Sequence, residues 1–153
     1  MHLTELEWGY TAGFIDADGS IILTLRSSGH AFYPIISAGN TRVAPLLFLQ
    51  QKFGGSFSNL GRQNPKWKVR YQWVICSPKM IETVLTKIIP LLKAKRKQAE
   101  LLLKWLHTRE SRLGKRKHGK DGRYVMGGIP IRERELAIMR QIKELNRRGR
   151  HEE

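Results

Sequence analysis

The feature that most limits what this chain can fold into is a change of hydrophobic period that occurs twice in the same order. Thr4, followed three residues later by Glu7, fits a capping box, so a helix is expected from there to about Asp16. Gly19 breaks the helical period. Ser20 to Ser28, "SIILTLRSS", reads as a strand, and Ala31 to Gly39 as its hairpin partner. Asn40 or Thr41 can cap a second helix, carried by Val43, Leu46, Leu47 and Phe53 to a stop at Gly54 and Gly55. A short strand over Ser56 to Leu60, a "GRQNP" turn and a long strand over Lys66 to Cys76 repeat the hairpin. Ser77-Pro78 opens a third helix with Ile81, Val84, Leu85 and Ile88 on one face, ended by Pro90. The order is α-β-β-α-β-β-α, which makes the chain α+β.

A fourth helix is expected over about Leu92 to Thr108, with Ala99, Leu102, Leu103 and Leu106 inward. A Gly- and Lys/Arg-rich connector follows from Arg112 to Gly128. A last amphipathic helix, about Ile131 to Arg148, carries Ile138, Ile142 and Leu145 on its apolar stripe. Residues 1–110 are expected to form the core domain, and 111–153 a basic connector and helix appended to it.

Charge narrows the partner. Lys and Arg number 28 against 13 Asp and Glu, a net +15 on 153 residues. Such a surface favours a polyanion, nucleic acid first. No apolar run is long enough for a membrane helix, so no membrane partner is expected. The opening "MHLTELEW" carries acids, unlike a signal peptide. The one cysteine, Cys76, excludes an intramolecular disulfide and a cysteine-based zinc site. It is expected as a small buried hydrophobe in an intracellular, reducing setting.

Strand parity then places the basic residues. In "KWKVRYQW", Lys66, Lys68, Arg70 and Gln72 share one face, and Trp67, Val69, Tyr71 and Trp73 the other. The second face is expected in the core. The first is a row of donors with no acid among them. Thr24, Arg26 and Ser28 share a face of the first strand, and Ser56, Ser58 and Arg62 extend the pattern, with Tyr33 and Ser37 also candidates. A two-stranded ribbon of this kind fits the DNA major groove, where Arg reads guanine and Gln reads adenine. Lys93, Lys95, Arg96 and Lys97 cluster in "KAKRKQ", expected as the first turn of the fourth helix, where the dipole disfavours cations unless an anion compensates. Lys115, Arg116 and Lys117 lie in the connector, which reads either as a solvated loop or as a segment ordered on phosphates.

The remaining question is the acid pair in "TAGFIDADGS", residues 11–20. Ala12, Gly13 and Ala17 are small, which suits close approach of a second copy of the helix about a twofold axis. Asp18 would then lie beside its symmetry mate. Two carboxylates at close range repel unless a cation lies between them. Hard divalent ions take oxygen ligands, and Mg²⁺ commonly uses one or two carboxylates plus phosphate oxygens. Local capping is the competing use, and it suits Asp16 better than Asp18.

The stretch closely resembles the LAGLIDADG motif of homing endonucleases, with Thr11 in place of the usual leucine. The resemblance covers about residues 5–108, including the element order and the basic "PLLKAKRKQA" segment. It implies the family fold, with a saddle-shaped antiparallel sheet set in the major groove of double-stranded DNA. One motif per chain implies a homodimer joined through the motif helix, here Ala12, Gly13, Ile15 and Asp16. It further implies that Asp18, assisted by the carbonyl of Ala17, binds Mg²⁺ or another divalent cation such as Mn²⁺. Lys95 resembles the family's basic active-site residue, and Asn40 and Arg42 are candidates for further polar groups. DNA contacts are expected from Thr24, Arg26, Ser28, Tyr33, Ser37, Ser56, Ser58, Arg62, Lys66, Lys68, Arg70 and Gln72, and from Lys93, Lys97, Lys115, Arg116 and Lys117. The implied activity is metal-dependent double-strand cleavage of a long pseudo-palindromic site by an intron-encoded hydrolase. The rivals are an RNA splicing maturase, a non-cleaving DNA-binding protein of the same fold, and a basic RNA-associated structural protein.

Overall fold

The computed structural model describes residues 2–27, 31–113 and 133–147. The first helix, α1 (Glu5–Asp18), begins at the capping box: Thr4 Oγ1 accepts from the Glu7 N–H, and Glu7 Oε2 accepts from the Thr4 N–H at 2.8 Å. Thr11, Ala12 and Ile15 are its buried residues. Thr11 satisfies its hydroxyl by donating to the Glu7 carbonyl at 2.8 Å, so a polar residue fits an apolar position. The helix stops at Gly19, where a Cβ would lie 2.6 Å from the Ile15 carbonyl oxygen.

Strands β1 (Gly19–Leu25) and β2 (Phe32–Asn40) form the first hairpin. Helix α2 (Val43–Phe53) follows, and Gly54 and Gly55, both at positive φ, end it. Strands β3 (Ser56–Gly61) and β4 (Arg70–Ile75) form the second hairpin. All pairings are antiparallel and the strand order is β1-β2-β4-β3. Helix α3 (Pro78–Ile88), capped by Ser77, leads through a 3₁₀ turn at Ile89–Leu91 to α4 (Arg96–Leu113), and α5 (Glu133–Leu145) comes last. The order is the expected one, with two helices after it.

One face of the sheet carries Ile21, Leu23, Ile36, Trp73 and Ile75 into a single core, which Ile81, Val84, Leu85 and Ile88 of α3 complete. Trp73 donates its indole N–H to the Gly54 carbonyl at 2.7 Å, so the largest strand residue is also polar-satisfied. Trp105 of α4 is fully buried beside Phe32, an inward position absent from the expected stripe. Residue 110, the expected end of the core unit, lies inside α4, and Ile138 and Ile142 of α5 belong to the same hydrophobic cluster as the sheet.

Several local expectations are corrected. The second hairpin's long strand starts at Arg70, not Lys66. Asn64 folds the chain into a turn: its Oδ1 accepts the Lys66 N–H at 2.9 Å and its carbonyl accepts the Trp67 N–H. Lys66 and Lys68 therefore lie outside the ladder, and Trp67 is exposed rather than in the core. Helix α4 starts at Arg96, so Lys93 and Lys95 precede it and only Arg96 and Lys97 lie in its first turn. Leu47 and Leu145, expected on apolar faces, are exposed. Cys76 is exposed too, because β4 ends at Ile75 and the chain turns outward to the Ser77 cap.

Candidate active site

Three chain segments meet at the C-terminal end of α1. The last turn brings Asp16, Ala17 and Asp18. The end of β2 brings Asn40, whose Nδ2 donates to Asp18 Oδ2 at 2.7 Å. Asn40 Oδ1 accepts the Arg42 N–H at 2.8 Å, so the amide is held from both ends. The segment ahead of α4 brings Lys95, whose Nζ donates to the Asp16 carbonyl. Burial pushes the Lys95 ammonium below its ordinary value of 10.5, against the opposing pull of the Asp16 and Asp18 carboxylates. Two acids separated by one residue thus face different surroundings. Asp18 is exposed, while Asp16 turns toward the chain and takes main-chain N–H groups of residues 93–95. Burial pushes the Asp16 carboxyl up, but those N–H groups outweigh it and hold the group below its ordinary 3.8.

Asp18 and Lys95 open into a cleft of about 540 Å³ between α1 and the outer sheet face. Ala17, Asp18 and Lys95 line one side. Ser37, Gly39, Arg70 and Gln72 line the sheet side. Parity places Arg70 and Gln72 opposite Tyr71 and Trp73, as expected, so the donor row survives for the two residues that are in β4. Arg26 stands over the Tyr33 ring, 5.8 Å from its centroid. Ser56 and Ser58 lie exposed on β3, and Arg62 lies just beyond it. Thr24 faces α5, lining a groove with Met139 and Asn146. Lys93 and Lys97 are exposed beside the site, and Arg42 is exposed at the start of α2. Ser28, Lys115, Arg116 and Lys117 lie outside the described residues.

The helix faces differ from expectation. Ala12 and Ile15, expected against a second copy, are buried in this chain's own core at 1% and 0% exposure. Helical spacing puts them on the same side as Thr11, toward the sheet. The exposed stripe is Leu6, Gly9, Tyr10, Gly13 and Ala17, of which Gly13 and Ala17 are among the small residues expected at a close helix approach.

Sequence reasoning also missed one wall of the cleft. Gln98, Asn146 and Arg147 line it. Gln98 is buried in α4 and donates to the Leu145 carbonyl at 3.4 Å, and Asn146 donates to the Ile21 carbonyl at 2.8 Å. A glutamine at an inward helix position beside Ala99 was the available signal for the first. The second depends on the path of the chain after residue 113, which no local pattern fixes.

No three His, Cys, Asp or Glu side chains come together among the described residues, so there is no preformed metal cage. The donors at the cleft are a carboxylate and carbonyls, and Asp18 Oδ1 accepts no hydrogen bond among the described residues. That oxygen-only set suits a hard cation completed by phosphate and water, and it does not suit zinc. No helix among the described residues is long and apolar enough to cross a membrane.

No protein-family model and no curated protein matches the chain. Solved structures do. The homing endonuclease I-CvuI, in complex with its target in the presence of calcium, aligns over 95% of this chain and 85% of its own at TM-score 0.65 and 19% identity. The archaeal intron-encoded homing endonuclease I-Vdi141I, complexed with DNA, aligns over 97% and 89% at TM-score 0.67 and 14% identity. The LAGLIDADG homing endonuclease I-SmaMI, bound to cleaved DNA, aligns over 99% of this chain but 46% of its own, at TM-score 0.63 and 20% identity. The alignments reach past residue 110, where the sequence offered no resemblance. With its α-β-β-α-β-β-α order, four-stranded antiparallel sheet and added C-terminal helices, the chain has the fold of the LAGLIDADG homing endonucleases.

Proposed function

We propose that the protein is a homodimeric, divalent-cation-dependent, site-specific DNA endonuclease of the intron-encoded type. The observation that carries this reading is the convergence of Asp18, held by Asn40, and Lys95 in one cleft with the donor pair Arg70 and Gln72. A metal-dependent centre and a base-reading surface are then continuous.

Asp18 and the Ala17 carbonyl would hold the cation, Mg²⁺ or Mn²⁺. Such an ion, when bound, supplies Lewis-acid activation of water and phosphate. Asn40 fixes one Asp18 oxygen and leaves the other for the ion. The Lys95 ammonium offsets negative charge that builds on the phosphate during hydrolysis. Arg42 adds a second cation at the mouth of the site. Arg70 and Gln72 have the donor and acceptor geometry to read purines, and the flanking lysines neutralise phosphates.

The dimer reading rests on the exposed stripe of α1. A Cβ at Gly9 or Gly13 would meet nothing within 4 Å, and Leu6 is 87% exposed. A glycine pair with no use inside the chain, flanked by an exposed leucine, suits close packing against a second copy of α1. Two copies would also bring two Asp18 clefts together. That I-SmaMI is matched over about half its length agrees with a functional unit twice this size.

The test is incubation with a plasmid library carrying candidate insertion sites, with Mg²⁺ and with EDTA. Linear product in Mg²⁺ alone supports the reading. Tight, sequence-selective binding without cleavage in any divalent ion would replace it with a non-cleaving DNA binder.

A further inference from the structure

Asp16 carries four interactions that no local helix-capping role explains. Its Oδ2 accepts the main-chain N–H groups of Lys93 at 2.6 Å and Ala94 at 3.2 Å, and its Oδ1 accepts that of Lys95 at 2.9 Å. Its carbonyl accepts from the Lys95 ammonium. The acid thus binds the segment that joins the 3₁₀ turn to α4, more than seventy residues away in sequence. Three consecutive amides converging on one carboxylate make an anion nest, and the anion is supplied from another element. Those N–H groups stand where α4 begins, so the carboxylate also provides the negative charge that its N-terminus favours.

The consequence concerns Lys95. A lysine has four side-chain torsions and, on an untethered segment, would sample many positions. Here its main chain is held by the Asp16 carboxylate and its ammonium by the Asp16 carbonyl. Asp18, two residues along α1, is fixed by Asn40. One turn of helix therefore sets the distance between the metal-binding acid and the cation. We infer that Asp16 is a positioning residue that locks the 93–95 segment to the end of α1 and so holds Lys95 in register with Asp18. This rests on the endonuclease reading.

The experiment is a single-turnover cleavage cycle on the full-length protein with its DNA site: wild type, Asp16→Asn, Lys95→Met and the double variant, with DNA affinity measured in EDTA. Asparagine keeps the size but offers one acceptor and an NH₂ that opposes the donors. Asp16→Asn is expected to slow cleavage roughly 10- to 100-fold with affinity within a factor of about two. Added to Lys95→Met it should cause no further loss, because its effect passes through Lys95. Equal losses in both backgrounds would overturn the inference, as would an unchanged rate. Should Asp16→Asn fail to fold, amide hydrogen exchange on the wild type decides. Slow exchange at Lys93 and Lys95 supports the lock, and exchange at the rate of free chain overturns it. A wild-type protein that cleaves no DNA refutes the endonuclease reading instead, and hydrogen exchange still tests the lock.

Discussion

Asn40 Nδ2 and Asp18 Oδ2 lie 2.7 Å apart, joining the end of β2 to the end of α1 across 22 residues of chain. The bond fixes the direction of the acid at the end of the helix. Asp18→Asn should abolish cleavage and leave DNA affinity unchanged or tighter, since a carboxylate facing phosphate is repulsive. Asn40→Ala should retain the metal requirement and slow cleavage about tenfold, because the acid is present but less well aimed. Single-turnover rates beside binding isotherms check both, and an Asp18→Asn protein cutting at wild-type rate would refute the metal assignment.

Gly13 separates folding from association. Its Cβ direction is open within the chain, so Gly13→Leu should leave the protomer folded, and the loss of a mid-helix glycine should favour it slightly. In a close helix crossing the same side chain overpacks, at about 1–3 kcal/mol from each protomer. Analytical ultracentrifugation should show a folded monomer. A tight dimer would locate the interface elsewhere.

Arg70 and Lys66 should fail in different ways. Arg70 begins β4 and lines the cleft, whereas Lys66 lies in the Asn64 turn. Arg70→Ala should cost about 1–3 kcal/mol per half-site and relax preference at one or two positions. Lys66→Ala should weaken all sequences alike and lower the salt dependence by about one ion per protomer. A panel of single-base target variants at several salt concentrations distinguishes them.

Glu7 links the start of α1 to α2 through Lys52 at 2.6 Å. The Lys52 hydrogen bond, followed by the Thr4 N–H, holds its carboxyl below the ordinary 4.5. A lowered pKa in the folded state means that the unfolded chain takes up the proton first. The stabilisation is therefore complete above 4.5 and is lost as pH falls through the folded value. Melting temperatures of wild type and Glu7→Gln should differ at neutral pH and converge in acid. A gap independent of pH would assign the effect to packing instead.

The element order was legible because period switches from 3.6 to 2 recur with clear stops at Gly19, Gly54 and Pro90. Asp18 was legible because its motif is local. The start of α4 was not, because the amides of Lys93 and Lys95 go to Asp16, a partner far along the chain. Lys66 and Lys68 were misplaced for the opposite reason: a very local bond to the Asn64 side chain overrode an alternating pattern. Ala12 is expected at the interface from its small size and from the motif resemblance, and Ile15 from the resemblance alone. Burial shows that the helix uses them against its own sheet and leaves Gly9 and Gly13 outward.

The Asn146 side chain has a consequence for solubility. β1 is the outermost strand on its side, and an outermost strand offers unpaired carbonyls to any other chain that can supply N–H groups. Asn146 donates to one of them, that of Ile21, and α5 lies along the same strand with Met139 and Ile142 against it. The position that a foreign strand would take is thereby occupied from within. Because an open-ended ribbon needs both outermost strands free, copies of this protein are kept from joining sheet to sheet without end.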